Sequence, residues 1–403
     1  MSAASPTRPG TSGARQAAFS SLLALAMAAA TFAISVLSVL ARFLIDDFGL
    51  SHSQLGWLVT GVAGVAALAS PAAGRATDAL GGKTVLLATF SVAALTTLGM
   101  AAAPSYAWLL AFALLSGIGN AGCNPATNKL ISSQLPPGRR GLTMGVKQSG
   151  VQGGLFLAGA LLPPAALAFG WRLALSLAGM FHLLAALVAW RVIPPDPVAA
   201  EAAVVGPGRY RHGPAVRWLA VYGFLMGAGG AAVVGYVPLY AEERVGMSVT
   251  TAGAAAAVIG LVGFAARIAW SRQSEAAGHF STPLALLGLV SVASAAAVWA
   301  ASAAGPWVLW LGAVGAGAGV VAWNAVGMLA VVAQVETRHA GQASGMVLFG
   351  FLGGYTSSPV LFGYSVDRTG GYDLGWAAVT LLFGAAVLVT RLWRRSDPGL
   401  AIR

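Results

Sequence analysis

Apolar runs long enough to cross a lipid bilayer follow one another from residue 17 to residue 393, with only short polar turns between most of them. A helix needs about 20 mainly apolar residues to cross a hydrocarbon core of roughly 30 Å. On that basis the sequence predicts twelve spans, at 17–44, 54–74, 83–102, 106–134, 142–169, 172–193, 215–241, 249–271, 283–302, 306–334, 342–365 and 374–393. Only 9% of the 403 residues are charged, against about 25% in soluble domains. The expected class is therefore an all-α integral membrane protein.

Residues 194–214 are the one long polar interruption, rich in proline, glycine and charge, and they read as a linker. The expected organisation is a tail at 1–16, a six-helix bundle at 17–193, the linker at 194–214, a second six-helix bundle at 215–393 and a tail at 394–403. The first apolar run continues well past the 7–15 residues of a signal-peptide core, so it reads as a retained span. The net charge of +11 sits in the turns rather than in a basic patch interleaved with aromatics, so no nucleic-acid partner is expected. The single cysteine, Cys123, excludes an internal disulfide and reads as a small apolar helix residue.

The two halves repeat one another. Gly117, Gly119, Asn124, Gly141, Gly145, Gly150, Gly153 and Gly154 recur 200 residues on, as Gly317, Gly319, Asn324, Gly341, Gly345, Gly350, Gly353 and Gly354. Nearer the front of each half the offset is 197, where Arg75, Asp78 and Gly81 match Arg272, Glu275 and Gly278. The expected fold is thus twelve transmembrane helices in two pseudo-symmetric six-helix bundles. Close approach of helices at the glycine pairs Gly153–Gly154 and Gly353–Gly354, and at Gly150 and Gly350, is expected to let one half rock over the other. The lysine and arginine bias of the turns predicts that both termini are cytoplasmic, with the linker on the same side.

The turn after the second span reads Gly74-Arg75-Ala76-Thr77-Asp78-Ala79-Leu80-Gly81-Gly82-Lys83. It resembles the signature loop of the major facilitator superfamily, and the length, twelve spans, central linker and terminal orientation fit that family as well. The resemblance implies secondary transport by alternating access, with Gly74, Arg75, Asp78, Gly81 and Lys83 as gating residues and Asp78 as a latch. Ala79 stands where the family carries a base, which implies a weaker latch, and the copy at Arg272–Gly278 is weaker still. The alternative is a solvated turn whose charges only fix topology. Gly81 and Gly82 are expected to reverse the chain there with positive φ.

Asn120, Asn124 and Asn128 recur every four residues and so share one face of the fourth span. Amides are costly in hydrocarbon, so this stripe must face another helix or a wet cavity. Lys147, Gln148 and Gln152 gather at the start of the fifth span, and Asn324 is the tenth-span counterpart of Asn124. These seven, with Tyr236 of the seventh span, are the candidate substrate-binding residues. Helix–helix contact is the alternative for the asparagines, and snorkelling to the headgroups is the alternative for Lys147. Lys129 is expected to snorkel, and His182 to hydrogen-bond a neighbour. The segment Met144–Gln152 is similar to permeases of the cyanate and organic-anion type.

No Asp or Glu falls inside a predicted span, whereas carriers of organic cations commonly use one as counter-ion. Together with Lys147, and with Arg42 and Arg267 at span ends, this predicts an anionic or neutral small organic solute. The rival within transport is a multidrug or natural-product exporter. A membrane enzyme lacks any His, Asp or Glu cluster in the span interiors, and a non-transporting receptor would need a larger soluble part than 194–214. No Walker loop is present, so no direct ATP drive is expected; no cofactor and no metal are expected either, and the coupling ion is left open, a proton being one candidate. The expected partners are the lipid bilayer and the small solute, with the chain a monomer in the cytoplasmic membrane.

Overall fold

The computed structural model describes residues 13–50, 52–194 and 210–396. The tail calls at 1–12 and 397–403 and the linker residues 195–209 lie outside the described residues. The first half comprises α1 (Gly13–Val39), α2 (Ala41–Phe48), α3 (His52–Leu80), α4 (Gly82–Ala101), α5 (Tyr106–Gln134), α6 (Arg140–Phe169) and α7 (Trp171–Val192). The second half comprises α8 (Pro214–Glu243), α9 (Val249–Ala277), α10 (Ser281–Ala304), α11 (Pro306–Gly315), α12 (Trp323–Gln334), α13 (Ala340–Thr369) and α14 (Asp373–Ser396). A π-helical turn, Ala316–Val321, joins α11 to α12 within one span.

Ten spans among the described residues are long and apolar enough to cross a membrane. The other two of the twelve, α1 with α2 and α3, are packed among them. The helix starts follow local chemistry. Ser105 and Ser248 cap α5 and α9 with their hydroxyls, and Pro214 and Pro306 occupy first-turn positions that need no N–H donor. The chain reverses between α3 and α4 at Gly81, whose φ is +84°. Gly82 does not share that positive φ. It is instead a point of close approach, where an added Cβ would sit 2.7 Å from the Ala126 carbonyl.

Packing repeats between the halves. α1 lies along α6 and α8 lies along α13. Gly150 and Gly154 press on Ala24 and Ala28 of α1, as Gly350 and Gly354 press on Ala220 and Phe224 of α8. These glycines therefore serve contacts inside each half, which corrects the expectation that they form the sliding surface. Gly153 meets nothing within 4 Å and Gly353 only the Phe224 ring. Between the halves, α13 packs on α3 and α5, α9 packs on α6, and α12 packs on α5 and α6. The glycines at that boundary are Gly74, Gly141, Gly145, Gly341 and Gly345. A Cβ on Gly74 would sit 2.5 Å from the Gly341 carbonyl, and one on Gly145 would sit 2.6 Å from the Ile268 Cα.

Two helices run further than their predicted spans. α3 continues six residues past 74 and α9 six residues past 271, so Asp78 and Glu275 are helical rather than in turns. The sequence reading placed no acid inside a span, and the structure corrects this at the helix ends: Asp78 is buried. The cause is that each acid finds backbone partners on the other half, which keeps the last turn wound.

Candidate functional site

The face at which α7 ends and α8 begins, called the linker face below, is where the halves meet. There the Asp78 carboxylate, from α3, accepts hydrogen bonds from Gly341 N at 2.9 Å and Gln342 N at 2.8 Å. It thereby caps the N-terminus of α13 in the other half, where unpaired N–H groups and the helix dipole favour a negative charge. Glu275 of α9 does the same for α6, accepting from Gly138 N at 3.0 Å, Arg140 N at 2.9 Å and Gly141 N at 2.7 Å. The second-half copy of the motif, expected to be the weaker, accepts three backbone hydrogen bonds against the first copy's two. Gly74 belongs to this contact and Arg75 is exposed. Lys83 donates to the Trp190 carbonyl at 2.8 Å near the C-terminus of α7.

Lys129 does not snorkel. Its ammonium is fully buried and pairs with Asp78 at 3.0 Å while donating to the Arg338 carbonyl at 3.1 Å. A buried carboxylate beside it makes the ion pair better than a reach toward headgroups. Next to this pair Tyr210 stacks on His339, ring centroids 4.7 Å apart. Burial, with Arg338 alongside, lowers the pKa of His339.

Asp78→Asn is expected to weaken closure on this face and leave Lys129 buried without its counter-ion. Losing one member of a buried pair costs about 3–5 kcal/mol, so the purified protein should melt several degrees lower. Combining it with Glu275→Gln should raise maleimide labelling of a cysteine at Ser70 above either single variant. Unchanged labelling in the double variant would contradict the capping role.

Deeper along the same boundary the polar residues converge. Lys147 Nζ donates to Asn124 Oδ1 at 2.9 Å and to Asn128 Oδ1 at 2.7 Å. Gln148 Nε2 donates to Asn124 Oδ1 at 3.2 Å and, across the boundary, to Asn324 Oδ1 at 2.7 Å. Asn128 Nδ2 donates to Ser344 Oγ at 2.8 Å, again across the boundary. Gln152 enters through Arg267 of α9, whose Nη1 donates to Gln152 Oε1 and to the Gln148 carbonyl. Thus six of the eight sequence-predicted residues, Asn124, Asn128, Lys147, Gln148, Gln152 and Asn324, form one network. Asn120, one turn further along α5, is buried with no side-chain hydrogen bond.

Tyr236 stands apart. Its hydroxyl donates to the Pro359 carbonyl at 2.8 Å and its ring packs on Phe362, both inside the second half. His182, expected to hydrogen-bond a neighbour, instead meets the Phe32 ring edge-on, and its Nδ1 has no partner. An apolar neighbour on α1 leaves that nitrogen nothing to bond.

Arg267 and Ser344 are the residues that sequence reasoning missed. Arg267 reads as span-end only if the eighth span stops near 271. With α9 running to Ala277, it lies ten residues, about 15 Å, from the helix end. A signal was present: it is the lone charge in the run from Val249 to Trp270. The π-helical turn also escapes pattern reading. Such a turn loosens the regular ladder, and here the Ala318 and Val321 carbonyls accept from Trp270 Nε1 at 3.1 Å and Arg267 Nε at 3.0 Å.

Electrostatically the network is one-sided. Among the described residues no carboxylate pairs with Lys147 or Arg267, which are both buried. Their hydrogen bonds to carbonyl oxygens lower the cost of burial, but the positive charge is not cancelled. Among the described residues the Nδ2 groups of Asn124 and Asn324 have no partner. Among the described residues no three His, Cys, Asp or Glu side chains gather as a metal site.

The chain is 28% identical to the hexuronate transporter of Bacillus subtilis, over 40% of this chain and 39% of that protein. It is 25% identical to the probable sulfoacetate transporter SauU of Cupriavidus necator, over 88% of each. Other relatives include a niacin transporter and multidrug resistance proteins. The chain spans under half the length of the hexuronate and niacin relatives. Among solved structures the human organic anion transporter MFSD10 has the same fold, with a TM-score of 0.76 at 17% identity, covering 94% of this chain and 100% of that one. The model of the Major Facilitator Superfamily matches residues 23–359, so the chain belongs to that family and is a multi-pass membrane protein.

Proposed function

We propose that the protein carries a small organic anion by alternating access between two six-helix bundles, 17–193 and 215–393. The observation that carries this reading is the pair of buried cations, Lys147 and Arg267, with no carboxylate partner among the described residues, in one network with Asn124 and Asn324, whose Nδ2 groups have no partner there. A buried positive charge left uncompensated by the protein favours a negative ligand and disfavours a cation. The relatives named for hexuronate and sulfoacetate, both anions, point the same way. The lysine and arginine bias of the turns supports placing the linker face in the cytoplasm. The halves meet at that face, so the arrangement corresponds to a carrier closed toward the cytoplasm.

The test is uptake by proteoliposomes of labelled glucuronate, sulfoacetate and niacin, beside xylose and tetraphenylphosphonium, under imposed pH and voltage gradients. At least one anion is expected to move ten-fold faster than both the sugar and the cation. Acceleration by an inward proton gradient at zero voltage would identify the proton as coupling ion. Transport of the organic cation alone would overturn the reading in favour of a drug exporter.

A further inference from the structure

We propose that Arg267 is the residue that receives the charged end of the cargo, through its Nη2 amino group, while Lys147 stays behind it as a positioning residue. The inference rests on the reading above that the cargo is an organic anion.

The two cations are not equivalent. Lys147 is 0% exposed, and two of its three N–H donors are held by Asn124 and Asn128. Arg267 keeps 7% exposure. Its Nε is held by the Val321 carbonyl of the second half, and its Nη1 by Gln148 and Gln152 of the first. A guanidinium carries five donors in one plane. Three acceptors drawn from both halves fix that plane and leave Nη2, with two N–H groups, without a partner among the described residues.

A carboxylate or sulfonate oxygen suits that position, because charge-assisted hydrogen bonds to arginine are the strongest of their kind. Neutral donors stand ready for the rest of the ligand on Asn124 and Asn324 of the same network. Arg267 also ties cargo to closure. When the halves part at the linker face, its bonds to Gln148 and Gln152 must break, and the guanidinium leaves with the second half.

The test uses matched pairs that differ only in charge: glucuronate with glucuronamide, and niacin with nicotinamide. Wild-type protein in liposomes should prefer the acid of a pair by at least ten-fold in initial rate. Arg267→Gln should bring that ratio close to one, and Arg267→Lys should restore part of it. Lys147→Met should slow acid and amide alike, leaving the ratio near the wild-type value. A folded, monodisperse Arg267→Gln protein with the wild-type ratio overturns the assignment. A wild type that prefers the amides overturns the anion reading itself, which is a separate failure.

A second measurement needs no variant. Phenylglyoxal should modify Arg267 of the wild-type protein, as read from peptide masses, and glucuronate should protect it while glucuronamide does not. Equal modification with both ligands, or none without ligand, overturns the proposal.

Discussion

Lys147→Ala is expected to lower transport of the preferred anion by about 100-fold. Among the described residues the substitution removes the only donor to Asn128 Oδ1, and leaves Asn124 Oδ1 with Gln148 alone. An unsatisfied buried polar group costs about 1–3 kcal/mol, and about 2.7 kcal/mol corresponds to a hundred-fold change. The effect should fall on turnover and affinity together, because Asn128 bonds Ser344 across the boundary and Asn124 shares Gln148 with Asn324. Initial rates in proteoliposomes, set beside the melting temperature of the same preparation, separate this from unfolding. Transport within two-fold of wild type would remove Lys147 from the mechanism.

Gly345→Val is expected to abolish transport while the protein still folds. A Cβ on Gly345 would collide with the Ser70 carbonyl of α3 and approach Gly74 Cα to 3.2 Å. Both obstacles are backbone, and neither can swing aside. All the close neighbours belong to the other half, so the packing inside the second half is untouched and the loss is confined to closure. Gly350→Val is the contrasting control. Its Cβ would strike Ala220 of α8 within the same half, so that variant should lose folded yield on size exclusion. A Gly345→Val protein that transports at the wild-type rate would show that closure at this contact is dispensable.

Most of the architecture was legible because membrane spans announce themselves by length and apolarity. The network was legible for a related reason. Asn124, Asn128, Lys147, Gln148 and Asn324 stand out against hydrocarbon-compatible neighbours, and the shared spacing of the two halves pairs Asn124 with Asn324. What stayed hidden depends on where a helix ends and on what lies across the boundary. Ending the eighth span near 271 made Arg267 look like a span-end residue, whereas the helix runs on to Ala277. Lys129 looked like a snorkelling residue because its partner, Asp78, is 51 positions away in sequence. Glu275 looked like a degraded copy because its partners are backbone N–H groups, which have no sequence signature. Tyr236 reads equally as a pathway residue or as part of an aromatic belt, and its partner, the Pro359 carbonyl, is 123 positions away in sequence.

The two carboxylate caps divide the burden of inheritance unevenly. On one side of each contact stands a single acidic side chain, Asp78 or Glu275; on the other stand only main-chain amides at residues 138, 140 and 141 or 341 and 342. Every amino acid except proline supplies such an amide. Lineages descending from this chain can therefore drift at the receiving helix starts wherever bulk permits, whereas one codon change at either acid breaks the clasp. A fastening with one fragile partner is easily tuned, and its two copies can be loosened independently.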